Sequence, residues 1–362
     1  SAPAWHAGGQ GFESPQVHRV SDSLASGITS TFFFFLNFVR NTREVQQKLM
    51  EVKPHGIHHV TAIARDPQKN VDFYTKVLGL RLVKQTVNFD APHVWHLYYG
   101  DEKGSPASIL TFFPWVGVPK GKEGAGLATA TAFSVPPESI GWWQQHLMNL
   151  GLEPEAPVVR GDSEVLTLFD YDGMRIELTA NEGDQRSGWD GVSSIPAEHA
   201  VRGLHSVTLS QRQVDPTAGM LTNLLGMEHL KDVQGSSQFQ MGDGGAGALV
   251  DVLGGVHENG LQAGGTVHHV AFRAPNIETM TLWQQELGSR GVQVTEILDR
   301  QYFKSIYFRE PGGVLFEIAT DEPGFDIDEP LLELGRKLKL PPWLEPSREQ
   351  IQASLPAIQV EP

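Results

Sequence analysis

GIHHVTAIAR (Gly56 to Arg65) and TVHHVAFRAP (Thr266 to Pro275) each carry a His-His pair followed by Val and a β-prone run. Related openings recur as GLATATAFS from Gly126 and GLHSVTLSQ from Gly203. Behind each lies a stretch with apolar residues at three- and four-residue spacing, the mark of an amphipathic helix. These stretches are PQKNVDFYTKVLG, PESIGWWQQHLMNLG, VDPTAGMLTNLLG and NIETMTLWQQELGSRG, and each ends in glycine, a common helix terminator. Strand-like runs follow, the last of each set being SILTFF, RIELTA, ALVDVL and VLFEIAT.

The pattern is therefore strand, helix, three strands, four times over residues 56–320. One such unit cannot close a core alone, so the modules must pair. The expected fold is α+β, with four βαβββ modules pairing into two cupped antiparallel sheets whose concave faces suit small-molecule sites. Residues 50–182 hold modules one and two, 183–200 form a linker, and 201–320 hold modules three and four. The tail, 321–362, is expected to carry one short amphipathic helix between Pro-rich segments. It would pack across the cup mouths or on a partner chain, so a homo-oligomer is one expected state.

Residues 1–49 are expected to be an N-terminal extension. Their apolar run ITSTFFFFLNFV is too short to span a bilayer as a helix. The 362 residues include 28 basic and 43 acidic side chains, a formal charge of −15, which disfavours nucleic acid and anionic membrane as partners. A cytoplasmic location is expected. The absence of cysteine excludes disulfides, thiolate nucleophiles and Cys-ligated metal. Any metal must be held by His, Asp and Glu.

Aligned on the shared Val-Thr or Val-Ala, the position just before that pair is His59, Thr129, Ser206 and His269 in modules one to four. The position before it is His58, Ala128, His205 and His268. Neighbours on a regular strand face opposite sides, so one column alone looks into a cup. The last strand carries Glu177, Asp251 and Glu317 in modules two to four, and no acid in module one. Modules one and four thus offer His59, His269 and Glu317, a 2-His-1-carboxylate set with open positions, the usual non-haem Fe(II) arrangement. Modules two and three offer no imidazole in that column. The rival set would use His205 with His269 and Glu317. His93 and His96, in APHVWHLYYG, sit on a middle strand of module one that could line the cup.

These residues resemble the vicinal oxygen chelate superfamily, which spans glyoxalase, bleomycin-resistance and extradiol dioxygenase proteins. The closer resemblance is to its hydroquinone-type ring-cleaving dioxygenases. It rests on GIHHVT, DFYTKVLGLRLVKQTVNFD, HLYYGDEKGSPASILTFFPW, IPAEHAVRGLHSVT, VHHVAF, DRQYFKSIYFREPGGVLFEIATDEPGF and KLPPWLEP, and covers roughly residues 50 to 345. In that branch the first His ligand comes from the first module, in agreement with His59 over His205. The resemblance implies Fe(II), with Mn(II) or Zn(II) as alternatives, on His59, His269 and Glu317. It implies a small aromatic diol and O2 as substrates, with catalytic roles near the metal for Tyr307, Arg300, His58, His268 and Thr61. Thr61 has the ligand's strand parity, whereas His58 and His268 need a twisted or bulged strand. Trp95, Tyr98, Phe112 and Phe303 are aromatics that would suit a flat ring. The alternatives are a glyoxalase-like isomerase or thiol transferase, which commonly uses two carboxylates, and a non-catalytic binding protein.

Overall fold

The computed structural model describes residues 53–191 and 194–360. They belong to one unit, Val45–Pro362; the expected extension over 1–49 lies outside the described residues. Module one comprises β1 (Ile57–Ala64), α1 (Pro67–Asp72), β2 (Arg81–Asn88), β3 (Ala91–Gly100) and β4 (Ile109–Pro114). Module two comprises β5 (Leu127–Val135), α2 (Ile140–Asn149), β6 (Val158–Arg160), β7 (Ser163–Phe169) and β8 (Arg175–Ala180). Module three has β9 (Gly203–Ser210), α3 (Val214–Asn223), β10 (Glu228–Val233), β11 (Ser236–Gln240) and β12 (Leu249–Leu253). Module four has β13 (Thr266–Ala274), α4 (Ile277–Ser289), β14 (Leu298–Asp299), β15 (Lys304–Arg309) and β16 (Leu315–Thr320).

The helices start and stop for local reasons. Asp66 caps α1 by accepting from the Lys69 N–H, and Asn276 caps α4 by accepting from the Thr279 N–H. The glycines that end the four helical stretches, Gly79, Gly151, Gly226 and Gly291, all have positive φ. Each helix buries one stripe. Met280, Trp283 and Leu287 of α4 and Trp143 and Leu147 of α2 join the main core. Replacing a fully buried tryptophan such as Trp283 by alanine should cost about 3–5 kcal/mol.

Modules pair one with four and two with three. One eight-stranded sheet runs β14-β15-β16-β13-β1-β4-β3-β2, the other β10-β11-β12-β9-β5-β8-β7-β6. The central pairs β1/β13 and β5/β9 are antiparallel. Within each module the first and last strands lie side by side and run parallel, so the sheets are mixed where all-antiparallel ones were expected. The helix after each first strand supplies the crossover that parallel neighbours require.

The tail covers the outer strands of module one. Buried Lys84 on β2 meets Asp328 at 2.6 Å and Glu329 at 2.5 Å, and the Tyr302 hydroxyl donates to Asp328 at 3.0 Å. Phe325 stacks near Tyr98 and Tyr302, and the Trp95 indole N–H donates to the Pro356 carbonyl. The short helix lies later than expected, at α5 (Arg348–Ser354), and Leu331–Glu333 forms a single 3-10 turn. Gly335 ends that segment with φ +75, and a Cβ there would sit 1.7 Å from the Leu82 carbonyl oxygen, which no side chain could tolerate.

Candidate metal centre

β1 and β13 run antiparallel with Thr61 opposite His269 and His59 opposite Ala271. Ala271 is in turn beside Glu317 on β16, and Glu317 faces Tyr307 on β15. This register brings His59, His269 and Glu317 onto one concave face, with one donor atom of each within 4.8 Å of the others. The two Nε2 atoms are 3.3 Å apart, and Glu317 Oε2 lies 2.8 Å from His269 Nε2 and 3.3 Å from His59 Nε2. All three side chains are buried.

Both Glu317 oxygens are buried without a hydrogen-bond partner of proper geometry. An uncompensated buried carboxylate is costly, and protein interiors retain one only where a cation or a donor completes it. Burial pushes the Glu317 pKa up, but the imidazoles of His59 and His269 more than offset this and hold it well below the usual range. The group is a carboxylate aimed at two imidazole nitrogens. That donor set fits a divalent metal of intermediate hardness.

His58 and His268 hold the two imidazoles. His58 Nδ1 lies 2.8 Å from His59 Nδ1, and His268 Nδ1 lies 2.8 Å from His269 Nδ1. Burial, followed by the neighbouring imidazole, lowers both outer histidines to about 3, so each is neutral at pH 7. A neutral Nδ1 lone pair accepts the partner's Nδ1–H, which leaves the partner's Nε2 with a free lone pair. Strand parity disfavoured these contacts, but β1 and β13 each break register at these residues. The pairing skips from Ile57 to His59 on β1 and from His269 to Val267 on β13. Each skipped residue is a β-bulge, which re-aims a side chain.

Around the triad stand the other expected residues. The Tyr307 ring is 5.6 Å from that of His269, and its hydroxyl receives hydrogen bonds from Arg300 Nε at 3.3 Å and Ser305 Oγ at 3.2 Å. Burial, then the charge of Glu317, raises the Tyr307 pKa, so it keeps its proton at neutral pH. Arg300 lies over the Tyr307 ring and reaches Asp90 at 3.2 Å. Phe303 sits against both His58 and His59. Thr61 shares the face and bonds Thr111 at 3.0 Å. Of the remaining aromatics, Tyr98 faces the cup, while Trp95 and Phe112 belong to the main core. His93 is exposed and packs near Trp115.

His96 is brought to the cup. Its Nε2 is 2.7 Å from Thr111 Oγ1 and its Nδ1 is 2.8 Å from the Tyr98 hydroxyl. The sequence offered a signal for Thr111, since it stands where the other three modules place an acid, but that signal carried no chemistry on its own.

The second cup differs in kind. Its register puts Ala130 opposite Thr208 and Ala132 opposite Ser206, so the equivalent of His269 is Ala130, not Thr129. Thr129 falls at the bulge, as His268 does, because the module openings differ by one residue in length. Arg160 forks onto Glu177, with Nη1 to Oε2 at 2.6 Å and Nη2 to Oε1 at 2.8 Å. Gln238 donates to Asp251 at 2.8 Å. A cavity of about 600 Å³ remains, lined among others by His205 and Ser206. Burial lowers His205 to about 4, and it lies in the cup opposite in pairing to His269 and Glu317. Arg160 thus pairs Glu177 with a guanidinium, whereas among the described residues Glu317 is paired by the imidazoles of His59 and His269 and by no arginine or lysine.

The chain matches the family model for the Glyoxalase/Bleomycin resistance protein/Dioxygenase superfamily over residues 56–178 and 203–318. It is 41% identical over 310 residues to MhqE of Bacillus subtilis (strain 168), provisionally named a ring-cleaving dioxygenase, covering 85% of this chain and 100% of that protein. It is 33% identical over 307 residues to the chlorohydroquinone/hydroquinone 1,2-dioxygenase of Sphingobium indicum, covering 82% of this chain and 94% of that one. The crystal structure of a provisionally named dioxygenase from Bacillus subtilis superposes with a TM-score of 0.82 at 39% identity, over 86% of this chain and 99% of that one. Glyoxalase I from Zea mays superposes at 0.55 with 16% identity over 74% and 92%, a likeness of fold alone. Matching modules, a shared register and these relatives together lead to one conclusion: the chain belongs to the Glyoxalase/Bleomycin resistance protein/Dioxygenase superfamily.

Proposed function

We propose that this protein is a ring-cleaving dioxygenase that opens a hydroquinone- or catechol-type diol with O2, using Fe(II) held by His59, His269 and Glu317. The observation that carries the reading is the buried convergence of two imidazole Nε2 atoms on a carboxylate that no other described side chain pairs with. Names of relatives at 33–41% identity supply the reaction class. Held by these three residues, iron would supply the redox chemistry that lets an aromatic diol react with O2.

The chain's own residues do the rest. His58 and His268 fix the tautomer in which His59 and His269 present lone pairs. Tyr307 holds a proton beside the site and can deliver it to an oxygen that gains charge. Arg300 keeps that hydroxyl oriented and places a fixed positive charge where phenolate or carboxylate charge develops. Phe303 and Phe113 present apolar faces that exclude water from the histidine pairs. The four-ligand arrangement of a glyoxalase-like isomerase is disfavoured, because Thr111 stands where module one would need its acid.

Anaerobic purification, metal analysis and oxygen uptake with hydroquinone and with catechol test the proposal. Uptake dependent on Fe(II) supports it. Tightly held zinc with no uptake on either diol would sink it.

A further inference from the structure

In three modules the last strand presents an acid to the cup, as Glu177, Asp251 and Glu317 do; in module one that register position is Thr111. Thr111 lies beside Thr61, which lies opposite His269, so the missing carboxylate leaves the module-one side of the triad without a charged side chain from β4. What fills that side is a chain of neutral groups. Tyr98 hydroxyl meets His96 Nδ1 at 2.8 Å, His96 Nε2 meets Thr111 Oγ1 at 2.7 Å, and Thr111 Oγ1 meets Thr61 Oγ1 at 3.0 Å. Thr61, Thr111 and Tyr98 are buried, and His96 keeps partial exposure on the cup face.

We propose that this chain receives the substrate's hydroxyl proton: Thr111 contacts the diol, and His96 is the positioning residue behind it that holds the proton. The proposal rests on the ring-cleavage reading for its substrate class. The diol O–H bond breaks as its proton passes to Thr111 Oγ1, while the Thr111 proton passes to His96 Nε2. The diol becomes a monoanion and His96 an imidazolium, with Nδ1–H donated to the Tyr98 oxygen. No electrons are transferred in this step. Thr61 holds the Thr111 hydroxyl in the orientation that makes the transfer linear.

The surroundings agree. Burial, followed by His59, His269 and Arg300, keeps the His96 pKa well below its ordinary value, while Glu317 pulls the other way. His96 therefore rests neutral, with one ring nitrogen free to accept a proton. Tyr98 on the same strand is raised by burial and stays protonated. The remaining nearby cation, Lys84 on β2, is neutralised by Asp328 and Glu329.

The test uses 4-nitrocatechol, whose absorbance reports its ionisation, bound under nitrogen to the Fe(II)-loaded full chain. Thr111→Val and His96→Gln should raise the ionisation midpoint of the bound probe by about one pH unit, about a tenfold loss of the anion's advantage. Thr111→Ser keeps the hydroxyl and should stay within about twofold of the parent. An unchanged midpoint in Thr111→Val or His96→Gln overturns the proposal, as does an equal shift in Thr111→Ser or loss of iron from these variants. Oxygen uptake plays no part in this readout. A parent protein that ionises the probe yet cleaves no diol would contradict the ring-cleavage reading and leave the proton chain standing.

Discussion

Glu177 and Glu317 occupy equivalent register positions in the two sheets, yet Glu177 is held by both terminal guanidinium nitrogens of Arg160, whereas among the described residues Glu317 faces two imidazole nitrogens and no guanidinium pairs with it. Each glutamate sits on the last strand of its module, one step from the first strand. One cup has closed its carboxylate with an arginine, and in the proposed function the carboxylate of the other holds the metal.

That contrast predicts what happens when Arg160 is removed. Arg160→Met should leave Glu177 buried and unpaired and lower stability by about 2 kcal/mol, less than the ~3–5 of a fully buried pair because the arginine is partly exposed. The double variant Arg160→Met/Glu177→Gln should recover much of the loss. Thermal melts read both, and oxygen uptake at permissive temperature should not change in either.

The outer histidines should matter through the inner ones. His58→Phe and His268→Phe each remove the acceptor for a ligand's Nδ1–H, and iron affinity should fall about 10–100-fold in each. Competition with a chelator measures it. Affinity equal to the parent would mean that the bulges serve packing alone.

Stability of the metal-free protein should fall with acid in a stated window. His58 and His268 have folded pKa values of about 3 against 6.5 unfolded, so between those limits the unfolded chain binds more protons. Stability is full above pH 6.5, declines as pH drops, and levels off near pH 3. The loss should be about 2 kcal/mol per histidine at pH 5. Replacing either histidine should flatten the curve between pH 6.5 and 4, as followed by denaturant midpoints.

Tyr307→Phe should lower kcat about a hundredfold while leaving bound iron unchanged, since in the proposed function its hydroxyl donates a proton and does not hold the metal. Steady-state oxygen uptake with parallel metal analysis tests this. A fall in iron content instead would make the tyrosine part of the metal's support.

Much of this was legible in the chain because the repeat served as an internal control. The His-His openings, the helix-ending glycines and the acid column identified the module, its pairing and the residues that the structure brings into the triad. Tyr307 was expected on a hairpin with Glu317, and the two lie opposite each other. What escaped depended on register at single residues. The bulges at His58 and His268 break strand parity in a way that no periodicity reveals. The same bulge turned Ala130 into the equivalent of His269, although the aligned sequences favoured Thr129. Arg160 and His96 lie on strands whose distance from the first strand is set by sheet order. Their partners emerge only once the strands are placed.

In the proposed function, modules one and four build a single iron centre and modules two and three build none. Iron stoichiometry after anaerobic loading tests it most directly in the parent, His59→Ala and His205→Ala. About one iron per chain is expected in the parent, near none in His59→Ala and the parental value in His205→Ala. Iron that survives His59→Ala and disappears with His205→Ala would contradict it.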